Sequence, residues 1–230
     1  MVQSTSFSSQ TIVYPSSDGL PMAESDFQRR ALMDAVGALD VYFQDRDDIY
    51  VSGNLFIYYE EGNPKSVVAP DVFVVIGAEK RDRPSYMLWL EPKGPDFVLE
   101  VTSRSTRSED QGPKRGTYAF LGVREYWQYD PTGDYLTPPL RGLRLVGSNY
   151  EPLPATALSG GDVSSHSSVL GLELRLEQGR LRFYDPATRQ PLLTLREAEA
   201  EVRREAAARQ AAEARIAELE ARLRAQEEPS

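Results

Sequence analysis

Two short stretches, Asp71-Val72-Phe73-Val74-Val75-Ile76 and Asp96-Phe97-Val98-Leu99-Glu100-Val101-Thr102, are apolar almost without interruption. A strand with one wet face alternates polar and apolar residues, whereas an uninterrupted run needs cover on both faces. The chain is therefore expected to build a central sheet with layers on each side. Both stretches also carry an acid where burial is expected. Asp71 opens the first, behind Pro70, and Glu100 lies inside the second. An ionised carboxylate in a buried strand is costly unless it is paired or binds a metal. Two such acids on neighbouring strands could share one divalent ion, which lowers the pKa of a bound water and stabilises charge on a phosphate oxygen.

The second stretch leads into a polar loop, a helix expected from about Glu109 to Leu121, a stop at Gly122, and a further strand, Glu125–Asp130. Strand, helix, strand in that order is a crossover unit, so a parallel pair within a mixed sheet is expected. Upstream, residues 1–20 read as an arm. A helix is expected from near Glu24, with Phe27, Ala31, Leu39 and Phe43 on its apolar stripe, and then a strand over Tyr50–Tyr59. Residues 142–185 break into short β-like pieces. Leu170–Leu176 is the clearest, with a hairpin turn at Glu177–Arg180, and the Gly/Ser-rich stretch 158–168 reads as a loop.

From Arg196 to Glu227 the sequence turns to Ala, Glu, Arg and Leu without Gly or Pro. Leu195, Val202, Arg209, Ile216 and Leu223 recur at a heptad interval, with Ala198, Ala212 and Leu219 at the second core position. Glu205 and Arg209 interrupt that seam. The expectation is a coiled-coil homodimer through residues 192–227, set against a solvated helix held by its own charge pairs. The expected organisation is thus a core over 1–150, a β-rich extension over 151–190 and a helical tail over 191–230.

With no cysteine and a single histidine, His166, the chain has no thiolate nucleophile, no Cys/His zinc centre and almost no route to histidine-based hydrolysis. Carboxylates and water suit a hard ion, Mg²⁺ or Mn²⁺. His166, in a Ser-rich stretch, is expected to be exposed. The formal net charge of −9 argues against non-specific coating of nucleic acid, though not against a local basic groove. No apolar run approaches the roughly 20 residues of a membrane span, and the polar N-terminus has no apolar signal core, so a cytoplasmic protein is expected.

Pro70-Asp71, then Glu100-Val101-Thr102, then Lys114 resembles the core of the PD-(D/E)XK nucleases. More narrowly, three segments resemble the Uma-two family of restriction-endonuclease-like domains: 69–75, 96–106, and 114–127 with its Gly122-Val123-Arg124-Glu125-Tyr126-Trp127. The resemblance covers about residues 14–150. It implies an α/β fold, a mixed sheet flanked by helices, and a Mg²⁺-dependent endonuclease acting on DNA. It further implies Asp71, Glu100 and the Val101 carbonyl as metal ligands, and Lys114 as the lysine that stabilises the transition-state phosphate or positions the water. Glu24 on the first helix would be a further acid, with Gln28 one turn along. Arg104, Arg107 and Arg115 could contact a backbone phosphate. The superfamily pattern places its lysine two residues after the glutamate, where this chain has Thr102.

Each residue also has a plain structural reading. Asp71 can begin a strand, Glu100 can be ion-paired, Lys114 and the arginines can be solvated, Glu24 can favour a helix dipole, and Tyr118, Tyr126 and Trp127 can be core. Thr102 and the acidic balance motivate a second function, a catalytically inactive nuclease-like fold that works as a scaffold through its coiled coil. A third is a transposon- or defence-associated partner that acts only within a complex.

Overall fold

The computed structural model describes residues 12–15, 26–103, 106, 108, 110, 112–159 and 162–227, with the backbone alone at 221 and 223–227. They divide into two compact units, 1–192 and 193–230.

Six strands form the main sheet: β1 (Ile49–Ser52), β4 (Val72–Ile76), β6 (Phe97–Val101), β7 (Glu125–Tyr129), β8 (Leu140–Val146) and β9 (Asn149–Pro152), side by side in that order. β6 and β7 run parallel and every other neighbouring pair is antiparallel. The parallel pair is joined through α2 (Pro113–Phe120), as the crossover pattern predicts. The helix begins at Pro113, whose fixed φ suits the first helical position. It ends where Gly122 takes φ +74° and Val123 donates back to the Tyr118 carbonyl, so the chain reverses straight into β7.

Both faces of this sheet are covered. On one, Val72, Val74, Phe97, Leu99, Val101, Trp127 and Tyr129 pack with Ala35, Ala38 and Leu39 of α1 (Asp26–Tyr42). The same cluster includes Leu172, Leu174, Leu176 and Phe183 from a second, antiparallel sheet made of β10 (Ala155–Ala157), β11 (Val163–Ser167), β12 (Leu172–Glu177), β13 (Arg180–Asp185) and β14 (Gln190–Pro191). On the other face Phe73, Val75, Val98 and Tyr126 meet Tyr118 of α2 and Ile57 and Tyr86 of a small sheet, β3 (Val67–Val68), β2 (Ile57–Tyr58) and β5 (Tyr86–Met87).

Two expectations change. The strand expected over Tyr50–Tyr59 breaks into β1 and β2 at Gly53-Asn54, where Asn54 has φ +50° and donates to the Pro70 carbonyl. The stretch read as a loop over 158–168 contains β11, whose buried Ser165 and Ser167 are held by the Pro154 carbonyl and the Glu125 carboxylate. His166 is exposed, as expected.

In the second unit, α3 (Leu195–Glu227) opens on a capping box. The Thr194 amide donates to Glu197, whose own amide donates to the Thr194 hydroxyl. Among the described residues no helix is long and apolar enough to cross a membrane.

Candidate active site

Strand alternation sends Val98 and Glu100 to the α2 face of the main sheet, while Phe97, Leu99 and Val101 go to the α1 face. Glu100 is therefore delivered, fully buried, beneath the first turns of α2. There Lys114 Nζ donates to Glu100 Oε2 at 3.0 Å, and Tyr118, one turn further on, donates to Glu100 Oε1 at 2.5 Å. The same ammonium lies 3.2 Å from Asp110 Oδ1. That is an ion-pair distance without hydrogen-bond alignment. Among the described residues neither carboxylate oxygen of Asp110 has a hydrogen bond, and the buried Thr102 hydroxyl has none either.

Asp71 joins this group from the residue just before β4. Its Oδ2 accepts the Val101 amide at 2.7 Å, which fixes the carboxylate at the end of β6. The backbone there is tightly packed. A Cβ built on Gly53 would lie 2.2 Å from the Asp71 carbonyl oxygen, so only glycine lets the β1 end pass. A small cavity of about 10 Å³, room for a water-sized occupant, is lined by Gln28, Leu32, Asp71 and Val101. Gln28 Nε2 reaches the Val101 carbonyl across it at 3.5 Å.

Electrostatics follow from this crowding. Burial pushes the Asp71 carboxyl up to about 6, against the pull of Lys114, the Val101 amide and a hydrogen bond with Glu100. Burial also raises Glu100 well above the usual carboxylate range, and repulsion from Asp71 adds to it. Burial pulls Lys114 down, but Glu100, Asp110 and Asp71 together hold it above its ordinary value, so it stays charged. Tyr118 is raised by burial and by Glu100, so it remains a donor.

A second row of polar groups supports this one. Gln128 lies opposite Glu100 on β7, and Arg141 lies opposite Gln128 on β8. Arg141 Nε donates to Gln128 Oε1 at 2.8 Å, which turns the amide so that Nε2 donates to the Asp110 carbonyl at 3.0 Å. Tyr126 donates to the same carbonyl at 2.8 Å.

Of the residues singled out in the sequence, Asp71, Glu100, Val101 and Lys114 come together, and Gln28 faces the same cavity. Arg115 points elsewhere along α2 and donates to the Tyr150 carbonyl at 2.9 Å. Glu24, Arg104 and Arg107 lie outside the described residues. Asp110 and Tyr118 were missed as site residues. The signal available for them was spacing: 110, 114 and 118 recur every four residues, the interval that repeats a helical face.

The family model Uma2, described as "Putative restriction endonuclease", matches residues 20–177 of this chain. No curated protein matches it. Among solved structures, one described as "a putative nuclease belonging to DUF820" from Anabaena variabilis is similar, with 14% identity, 58% of this chain and 69% of that chain covered, and a TM-score of 0.43.

Proposed function

The chain belongs to the Uma2 family of restriction-endonuclease-like domains, and from that premise we propose that it is a Mg²⁺- or Mn²⁺-dependent DNA endonuclease with its centre at Asp71, Glu100 and Lys114. The observation that carries the reading is the convergence of two carboxylates and a charged lysine, from the start of β4, from β6 and from α2, in one buried spot.

The donor set fits a hard cation. Asp71 and Glu100 are carboxylates close enough to repel each other, Asp71 and Val101 line the small cavity, and carboxylate and carbonyl groups are oxygen ligands. Among the described residues no group of three or more acidic or imidazole side chains is arranged to hold a metal unaided, so the carbonyl and water would complete the shell. A divalent ion bound there would act as a Lewis acid on a phosphate oxygen and make a bound water more acidic. The chain's own groups do the rest. Lys114 brings a fixed positive charge toward developing negative charge. Tyr118 holds Glu100 Oε1 so that Oε2 faces the lysine. The Gln128–Arg141 row anchors Asp110. Arg104 and Arg107 are proposed phosphate contacts, and Glu24 a further acid beside Gln28; Arg115, committed to the Tyr150 carbonyl, is not among them. Residues 192–227 are proposed to make the protein a homodimer.

The test is calorimetric titration of the wild-type protein and Glu100→Ala with Mn²⁺ and Mg²⁺, followed by plasmid cleavage. Binding that vanishes in Glu100→Ala, with cleavage abolished in Asp71→Ala, is the expected outcome. Undiminished cleavage by Asp71→Ala rejects the site. A second reading, a nuclease-like fold retained as a scaffold, draws on Thr102 at the usual lysine position and on a Lys114 committed to two carboxylates. Absence of divalent-ion binding in the wild type favours that reading.

A further inference from the structure

We propose that α3 pairs with α3 of a second copy of this chain in antiparallel orientation, about a twofold axis through Ala207. The inference rests on the self-association proposed above and supplies its geometry. The helix presents Leu195, Val202, Ile216 and Leu219 to solvent at 49%, 65%, 56% and 44% exposure. Apolar residues repeated along one side of a long helix need a partner surface, and core charges then decide which partner.

Two charged residues fall within that seam, Glu205 and Arg209. In a parallel, in-register pair each core position faces its own copy, so Glu205 meets Glu205 and Arg209 meets Arg209. Like charges would then be buried in two adjacent layers, which is strongly unfavourable. Reversing one helix about Ala207 removes the conflict. Glu205 then lies level with Arg209 of the second copy, and Arg209 with Glu205, so both core charges are neutralised twice over. The same axis places Leu195 opposite Leu219, Ala198 opposite Ile216 and Val202 opposite Ala212, filling the remaining layers with apolar pairs. The next antiparallel register loses this, because Glu205 then faces Ile216 and Arg209 faces Ala212. On one flank Glu201 approaches Arg215 of the partner helix. On the other, Glu199 approaches Glu213, an exposed repulsion that water and salt keep small. A twofold interface of this kind uses the same patch on both copies and closes at two. It also sets the two Leu195 ends roughly 36 Å apart along the helix pair, from 1.5 Å of rise per residue.

The chain contains no cysteine, so introduced thiols are the only ones present. Full-length Ala198→Cys and Ile216→Cys are mixed and treated with a short thiol cross-linker. A covalent dimer from the mixture, with little or none from either variant alone, is the expected result. Cross-linking of each variant with itself means a parallel pair and overturns this geometry while leaving self-association intact. A monomeric mass for the wild type by light scattering overturns both. Glu205→Arg and Arg209→Glu should each weaken dimerisation by about tenfold or more, and the doubly swapped chain should recover it, since facing charge pairs couple at that scale. Failure of the double swap to recover, with helix content unchanged by circular dichroism, rejects the facing pair.

Discussion

Between about pH 4 and 6 Asp71 holds a proton in the folded chain that it would give up in water, because burial outweighs the lysine and amide that favour its charge. Its folded pKa of about 6 lies above the ordinary 3.8. Between those values the folded state binds more protons than the unfolded one. The stability this contributes is complete below about pH 4 and is lost as pH rises through about 6, a difference of about 3 kcal/mol at most. The thermal midpoint should therefore fall over this range, and fall less in Asp71→Asn. Parallel curves for the two proteins would show that Asp71 does not titrate there. Lys114 works in the opposite sense, as the cation that makes burial of Glu100 and Asp110 tolerable. Lys114→Met leaves those carboxylates uncompensated and should cost about 3–5 kcal/mol, read by denaturant unfolding. A cost under about 1 kcal/mol would mean that Glu100 is neutral in the folded state.

At the scale of elements, the candidate site depends on a close backbone crossing between Gly53 and Asp71. Gly53 ends β1 where the Asp71 carbonyl passes, with Val36 Cγ2 of α1 2.9 Å from any added Cβ. Gly53→Ala must displace Asp71 or the end of α1. We expect a loss of about 1–3 kcal/mol, the range for overpacking, together with divalent-ion binding weakened more than in an equally destabilised core variant such as Leu174→Ala. Equal weakening in the two would make the glycine merely structural. That crossing also shows where the sequence stops being readable. β4, β6, α2 and β7 announce themselves by apolar runs, a proline start and a glycine stop, all of which act locally. The break at Gly53-Asn54 is imposed by residues 70 and 71, and no local pattern carries it. β11 hides for a different reason: it buries serines, which are stabilised by partners as distant as Glu125. In the site, Asp71, Glu100 and Lys114 could be read because acids inside apolar strands are anomalous and the lysine completes a known order. Tyr118 reads as an ordinary core aromatic, and Asp110 is hidden in a polar stretch, until the fold brings both to Glu100.

For the whole molecule, the apolar cluster on the α1 face takes in the main sheet, α1 and the second sheet, and Glu125 fastens them by accepting bonds from Trp127, Ser167, Ser168 and Val169. A chain ending at Leu192 should unfold cooperatively, retain divalent-ion binding within about twofold, and run as a monomer in light scattering, at less than half the wild-type mass. A mass of two truncated chains would place the dimer contact in the first unit. The ammonium of Lys114, held between Glu100 and Asp110, has one more consequence. A small zinc domain collapses when its ion is removed, because the ion is its scaffold. This fold carries its own internal counter-cation on a covalent tether, so the chain should fold without added metal, and a chelator should stop the proposed cleavage while lowering the melting point only by the linkage of the ion it removes.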